Sequence, residues 1–128
     1  MKKVLFVCIE NSCRSQMAEA FAKMYGKGKV EAYSSGSKPS GQVNPKAIAS
    51  MQAIGYDLSK HQSKSIDDLG IDEFDYAITM GCGDECPYVR AKKRMDWNIP
   101  DPKMMEPEEF EKVRDLVEEK VRDFLGDL

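Results

Sequence analysis

The segment FVCIENSCRS, residues 6–15, joins an apolar run to a second periodic segment through a few polar residues, and this junction constrains the fold most. Lys3–Val7 is β-branched and aromatic, which predicts a short buried strand that ends beside Cys8. Ser12–Tyr25 carries apolar side chains at steps of three and four residues, which predicts a helix. A strand followed closely by a helix is the first half of a βαβ unit, so the junction favours a parallel sheet.

The rest of the chain continues this alternation. Further strands are predicted over Val30–Ser34, Phe74–Met80 and Arg94–Trp97. Further helices are predicted over residues 45–54, 65–69 and 107–124. Strands that alternate with helices predict one α/β domain over residues 1–128, a four-stranded parallel sheet with helices on both faces.

Charge and hydropathy limit the class of protein. The net charge is −3, so no overall positive field would draw the chain to nucleic acid or to a membrane surface. The apolar run Val4–Ile9 has only six residues, too short for a signal-peptide core or a membrane span. We therefore expect a cytoplasmic protein with no nucleic-acid or membrane partner.

Four cysteines, Cys8, Cys13, Cys82 and Cys86, carry the chemistry of greatest interest. In a reducing compartment they are not expected to form structural disulfides. Their spacing lacks the paired C-x2-C arrangement of structural zinc sites, so no metal is expected. They are therefore either buried, inert thiols or catalytic and redox-active thiols.

The C-x5-R spacing of Cys8 and Arg14 fits a loop that encircles a tetrahedral oxyanion. Main-chain N–H groups and the start of a helix would face the anion, with the thiol beneath it and the guanidinium at its side. Ser15 could donate a hydrogen bond that stabilises the Cys8 thiolate. The alternative is a small buried cysteine followed by a solvated arginine. The candidate oxyanion-binding residues are Ile9, Glu10, Asn11, Ser12, Cys13, Arg14 and Ser15.

The segment VCIENSCRSQMAEAF resembles the phosphate-binding loop and first helix of the low-molecular-weight protein tyrosine phosphatase superfamily, which includes the thioredoxin-coupled arsenate reductases. The resemblance continues in YSSGSKPSGQVNPKAI, GYDLSKHQSKSI, FDYAITMGCGDECP and WNIPDP, and so covers most of the chain. It implies a four-stranded parallel sheet in the order 2-1-3-4.

Cys82 follows the third predicted strand, and in the implied strand order that strand lies beside the first. Ligands bind at such points, where the carboxyl ends of neighbouring strands meet. Reduction of arsenate to arsenite takes two electrons, which two thiols supply by forming a disulfide. The resemblance implies that Cys8 attacks arsenate, that Cys82 releases arsenite, and that Cys86 completes an exposed disulfide which thioredoxin reduces.

Two other functions stay open from the sequence. A phosphatase would use Cys8 to form a thiophosphate and would need no second thiol, leaving Cys82 and Cys86 as incidental cysteines. A non-enzymatic module could use the cysteines to bind an oxyanion or zinc. The arsenate reductase hypothesis requires arsenate, with phosphate or sulfate as further anions of the loop, and thioredoxin as the reducing partner, without any cofactor.

Asp101, followed by proline, resembles the general acid of the superfamily. Phosphatases of the superfamily carry aromatic residues after this pair, whereas Lys103 and Met104 follow here, which favours a small substrate. Glu10 places a negative charge in the oxyanion loop, so its side chain is expected to point out of the ring of amides.

A second set of residues matches a monovalent-cation site of some superfamily members, namely Asn11, Glu19 and Ser34. Lys64 stands where those members carry an aspartate, so we expect its ammonium to replace the ion. His61 is expected to be structural, and Cys13 to be buried beneath the loop without a redox role.

Overall fold

The computed structural model describes residues 1–81 and 89–128. Its strands are β1 (Lys2–Cys8), β2 (Val30–Gly36), β3 (Phe74–Thr79) and β4 (Ala91–Asp96). Its α-helices are α1 (Arg14–Tyr25), α2 (Pro45–Gln52) and α3 (Pro107–Gly126). Two short 3-10 helices cover Leu58–Lys60 and Ile66–Leu69.

The four strands form one parallel sheet in the order β2-β1-β3-β4, which confirms the predicted fold class and strand order. In this order β1 is central, and Val4 pairs with Ala32 of β2 and Tyr76 of β3. The side chains of β1 from Val4 to Val7 are fully buried, as expected of a strand covered on both faces. The loop that follows Cys8 therefore begins at the end of an inner strand of the sheet.

The two faces of the sheet are covered differently. Val4 and Phe6 face the larger core, which contains the buried side chains of α1, α2 and α3. Leu5 and Val7 face a smaller cluster, in which Ile66 and Leu69 of the second 3-10 helix cover the sheet. Helices thus lie on both faces, as predicted, but the three α-helices share one of them.

Several element boundaries differ from those predicted. Helix α1 begins at Arg14 instead of Ser12, because the preceding residues complete the loop and Asn11 has a left-handed φ of 51°. Strand β2 continues to Gly36, which pairs with Cys8. The 3-10 helix Leu58–Lys60 was not predicted from the sequence; its Ser59 N–H is capped by the side chain of Asp57. Among the described residues, no helix has the length and hydropathy needed to cross a membrane.

Candidate active site

The loop between β1 and α1 is held open by hydrogen bonds on its outer side. The carbonyl oxygens of residues 8–12 all accept such bonds, at 2.8–3.3 Å. The donors are the main-chain N–H groups of Ser37, Lys38, Ser40 and Asn44 and the side chains of Gln16 and Ser63. Because a trans peptide directs its N–H opposite to its C=O, the amides of residues 9–13 are directed to the inside of the loop. The sequence prediction of an amide-lined ring agrees with this geometry.

Two backbone features make the loop this tight. Asn11 adopts the left-handed region, which asparagine tolerates better than most residues. Gly36, at the end of β2, approaches the loop so closely that a Cβ there would lie 2.5 Å from the carbonyl oxygen of Ile9 and 2.9 Å from the amide of Asn11. Only a glycine lets the neighbouring strand support the loop at this distance.

The Cys8 thiol is contacted by a hydroxyl whose orientation can be deduced. Cys8 Sγ lies 2.8 Å from Ser15 Oγ, and Asn11 Nδ2 donates to the same hydroxyl at 2.8 Å. Asn11 Oδ1 accepts from the main-chain N–H of Lys64 at 2.9 Å, which fixes the orientation of the amide. When Cys8 is a thiolate it has no proton to donate, so Ser15 Oγ accepts from Asn11 and donates its own proton to Cys8 Sγ, which stabilises the thiolate.

Behind Asn11 lies a hydrogen-bonded row that the sequence did not indicate. Gln16 Nε2 donates to Asn11 Oδ1 and to the Gln62 carbonyl, at 2.9 and 2.8 Å, so its Oε1 is the acceptor facing His61 Nδ1 at 3.0 Å. His61 is therefore protonated on Nδ1, and Nε2 accepts from the Tyr56 hydroxyl at 2.6 Å. The row of side chains from Tyr56 to Ser15 positions the hydroxyl that contacts Cys8.

Burial is the main cause that lowers the pKa of His61 to about 4, against which the nearby Glu19 carboxylate acts only in part. Burial also raises the pKa of Tyr56 to about 12. Both side chains are therefore neutral near pH 7, which agrees with a structural role for His61. Gln16 is fully buried in α1, but its burial is evident only in the structure, so the sequence carried no signal for this row.

Arg14 connects the loop to two other parts of the chain. Its Nη1 donates to the carbonyl oxygens of Met80 and Ile99, at 2.6 and 3.1 Å, and the residue is only 5% exposed. Its Nη2 lies 3.9 Å from Asp101 Oδ2. With Nη1 occupied in this way, Nε and Nη2 are the guanidinium groups left to grip an oxyanion from the side.

Asp101 lies at the rim of the loop, and half of its side chain is exposed. Together with Arg14 it closes a small cavity of about 50 Å³ above the loop. The described residues that line this cavity are Cys8, Ile9, Glu10, Ser12, Cys13, Arg14 and Asp101. A carboxyl group at that rim is positioned to give a proton to an oxygen leaving the cavity.

Cys13 differs from Cys8 although both are buried in the same loop. Burial is the main cause that raises the pKa of the Cys13 thiol to about 11, and the neighbouring carboxyl of Asp101 adds to the effect. Cys13 is therefore a neutral thiol near pH 7, as expected of a residue without a redox role.

Glu10 lines the small cavity, and its carboxylate is bound by Lys103; that its side chain points out of the ring of amides stays a prediction. Both of its carboxylate oxygens accept from Lys103 Nζ, at 2.9 and 2.8 Å. This hydrogen bond is the main cause that raises the pKa of Lys103. This partner of Glu10 could not be predicted from the sequence, because the two residues lie far apart in the chain.

Lys64 lies beside the buried carboxylate of Glu19, with Nζ 3.7 Å from Oε1. Ser34 Oγ and Lys23 Nζ donate to the same carboxylate. Burial alone would raise the pKa of Glu19, but these hydrogen bonds and the Lys64 charge outweigh it, so the pKa is lowered. The Lys64 ammonium thus lies beside the Glu19 carboxylate, where the family resemblance implies a cation.

Cys82 and Cys86, the two predicted relay thiols, lie in the segment 82–88, outside the described residues. The segment begins at the correct edge of the sheet, because the Met80 amide donates to the Val7 carbonyl at 2.9 Å. Gly81 follows with a φ of 85°. The roles of the two thiols stay predictions.

Comparison with known proteins places this loop in a family. The family model for low molecular weight phosphotyrosine protein phosphatase matches residues 3–128. The chain is 43% identical, over 98% of both chains, to the glutaredoxin arsenate reductase of Synechocystis sp.. It superimposes with a TM-score of 0.89 on an arsenate reductase in the phosphate binding state, which is 42% identical over 99% of this chain and 98% of that one.

A more distant neighbour is the thioredoxin-dependent arsenate reductase of Corynebacterium glutamicum. It is 30% identical, with a TM-score of 0.80, and the match covers 99% of this chain and 61% of that one. The family model spans nearly the whole chain. The chain covers nearly the full length of the Synechocystis relative and of the phosphate-state structure, and more than half of the Corynebacterium protein. The chain therefore belongs to the low molecular weight phosphotyrosine protein phosphatase family.

Proposed function

We propose that this chain reduces arsenate to arsenite, with Cys8 as the nucleophile. The observation that carries the proposal is the amide-lined loop in which the Ser15 hydroxyl is directed to Cys8 Sγ at 2.8 Å. The loop fits a tetrahedral oxyanion, and the Synechocystis relative and the phosphate-bound structure are both arsenate reductases by name. Two further cysteines follow β3 in the sequence. One of them, with Cys8, supplies the two thiols that a two-electron reduction requires, and the other can pass the disulfide on.

In the first step of the proposed reaction, arsenate binds to the loop amides and to Arg14. The Cys8 thiolate attacks arsenic, so that an S–As bond forms and an As–O bond breaks. Asp101 gives a proton to the departing oxygen, which leaves as water. Arsenic is still in the +5 state at this point, because the thiolate has only replaced an oxygen ligand.

In the second step the Cys82 thiolate attacks Cys8 Sγ. A Cys8–Cys82 disulfide forms, and the electron pair of the broken S–As bond stays on arsenic, which leaves as arsenite. In the third step Cys86 attacks Cys82, so that a Cys82–Cys86 disulfide forms and the Cys8 thiolate is released. Two thiols have then been oxidised for each arsenic reduced, and an external dithiol completes the cycle.

We propose thioredoxin as that external reductant. We also propose that residues 1–128 form a single domain and that the protein acts in a reducing cytoplasm. Support comes from the Corynebacterium relative, which is thioredoxin-dependent by name, whereas the name of the more similar Synechocystis relative includes glutaredoxin. The alternative reductant is therefore part of the test. No nucleic acid, membrane or cofactor takes part in the proposed cycle.

The test is arsenate-dependent oxidation of NADPH, measured once with thioredoxin and its reductase and once with glutaredoxin, glutathione and its reductase. We expect turnover with thioredoxin in the wild type and none in Cys8→Ser, Cys82→Ser or Cys86→Ser. Full activity of Cys82→Ser would contradict the relay. Turnover with glutaredoxin but not with thioredoxin would support the arsenate reductase function and would show that glutaredoxin, not thioredoxin, is the reductant.

A phosphatase is the second candidate, favoured by the match to the family of low molecular weight phosphotyrosine protein phosphatases and by a structural neighbour named as an arsenate reductase in the phosphate binding state. A phosphatase needs Cys8 but neither Cys82 nor Cys86. Hydrolysis of an aryl phosphate separates the two functions. We expect it to be slow in the wild type and in Cys82→Ser and absent in Cys8→Ser, and fast hydrolysis without any arsenate turnover would favour the phosphatase.

A further inference from the structure

We propose that the ion pair between Glu10 and Lys103 selects inorganic oxyanions over aryl phosphate esters. The inference rests on the proposed function, because it assigns a substrate class to the same site. Lys103 Nζ contacts both carboxylate oxygens of Glu10, at 2.9 and 2.8 Å, across a separation of 93 residues. Like the contacts of Arg14 with Asp101 and with the Ile99 carbonyl, it joins the oxyanion loop to the segment that carries Asp101.

The segment after Asp101 is a hydrogen-bonded turn. The Lys103 amide donates to Asp101 Oδ1 at 3.1 Å, and the Met105 amide donates to the Pro102 carbonyl at 2.9 Å. At its far end Lys46 Nζ donates to the carbonyl oxygens of Lys103 and Met105, at 3.3 and 2.9 Å. The turn is thus bound to α2, and a displacement of Lys103 would also move Asp101, to which its amide is hydrogen-bonded.

Glu10 and Asp101 both line the same small cavity, one from the loop and one from the turn. The bond from Lys103 to Glu10 therefore holds these two parts of the lining together. The cavity is partly open to solvent and has a volume of about 50 Å³. A cavity that admits benzene has about 150 Å³, so an aryl group does not fit inside while these two parts are joined.

The chemistry of the two substrate classes makes this restriction selective. An aryl ester carries its ring on the oxygen that leaves, so the ring must extend past Asp101 and between the two parts of the lining. An inorganic oxyanion carries only oxygen atoms and stays within the ring of amides. The Glu10 carboxylate, neutralised by Lys103, closes the path that the ring needs without adding a bare negative charge beside the anion.

The proposal is tested by ligand binding, which does not depend on arsenate turnover. Dissociation constants of phenylphosphonate and of orthophosphate are measured by calorimetry, and their ratio reports the preference. We expect Glu10→Gln and Lys103→Met each to shift the ratio about tenfold towards phenylphosphonate. The reversed pair, Glu10→Lys with Lys103→Glu, restores the ion pair and is expected to return the ratio to within about threefold of the wild type.

Glu73→Gln is the matched control, because Glu73 pairs with Arg90 at 3.8 Å near the start of β3, far from the loop. It removes a surface ion pair and is expected to leave the ratio unchanged. An unchanged ratio in both single variants would overturn the proposal, as would an equal shift in Glu73→Gln or a reversed pair that behaves like the single variants. Failure of arsenate turnover alone would overturn the proposed reductase and leave this binding result intact.

Discussion

At the scale of single residues, neighbouring side chains give like groups unlike chemistry. Cys8 and Cys13 belong to one loop and are equally buried. Cys8 Sγ lies 2.8 Å from the Ser15 hydroxyl, which can donate a hydrogen bond to a thiolate, whereas the pKa of Cys13 is raised to about 11, mainly by burial. The C-x5-R spacing identified Cys8 from the sequence, but the row of Gln16, His61 and Tyr56 behind it depends on tertiary contacts that no local pattern encodes.

The pKa of His61 makes a prediction about stability and pH. It is near 6.5 in the unfolded chain and about 4 in the fold, so between these values the unfolded chain binds the extra proton. The free energy of unfolding therefore falls as the pH is lowered from about 6.5 to about 4, by up to roughly 3 kcal/mol from this group. Protonation would also end the acceptance by Nε2 of the Tyr56 hydroxyl.

Urea unfolding of the wild type and of His61→Gln at pH 7.5 and pH 5 measures this contribution. We expect the wild type to lose more stability between the two pH values than the variant does. The cost of the substitution itself cancels, because only the change with pH is compared. Parallel losses in the two proteins would show that His61 does not resist protonation in the fold.

At the scale of elements, the periodicity of apolar residues predicted most of the strands and helices. The observed boundaries differ from the predicted ones where tertiary contacts determine the end of an element. The helix α1 begins two residues later than its apolar period suggests, because the loop needs those residues for its amides. β4 has few buried side chains, so the sequence signal covered only its second half. The short 3-10 helix at Leu58 has no apolar period long enough to recognise.

Gly36 tests how strictly β2 supports the loop. Gly36→Ala would place a methyl group 2.5 Å from the Ile9 carbonyl, and that backbone has little room to move because Lys38 is hydrogen-bonded to it. We expect a loss of about 1–3 kcal/mol in the free energy of unfolding and weaker phosphate binding. Denaturant unfolding and calorimetry measure the two effects.

Gly126→Ala is the control for this substitution. A Cβ at Gly126 meets nothing within 4 Å, and the residue lies in α3. We expect it to be neutral or to stabilise by about 0.5–1 kcal/mol, since alanine favours helix. If the two variants had equal stability and equal phosphate affinity, the close approach of β2 to the loop would be unimportant.

At the scale of the whole molecule, the site depends on segments that lie far apart in the chain. The fold class of the chain was predicted from the alternation of strands and helices, and the strand order from the family resemblance; the structure confirms both. The contacts of Arg14 with Met80 and Ile99 could not be predicted, because main-chain acceptors carry no sequence signature. Anion binding at this junction should therefore stabilise the entire fold.

Phosphate is expected to raise the melting temperature of the wild type. A ligand at about 100 times its dissociation constant adds roughly 2.7 kcal/mol to the free energy of unfolding, which corresponds to several degrees for a domain of this size. Arg14→Met should remove most of the shift, and chloride at equal ionic strength serves as the control salt. A similar shift in the variant, or with chloride, would place the effect outside the loop.

The two carbonyl contacts of Arg14 also bear on how the protein is made. A chain growing on the ribosome releases Cys8 and Arg14 long before Met80 and Ile99. The guanidinium cannot be fixed, nor the loop complete its grip on an anion, until those later residues have emerged. Synthesis from the amino terminus therefore delays assembly of the nucleophile's site until about four fifths of the chain has left the ribosome.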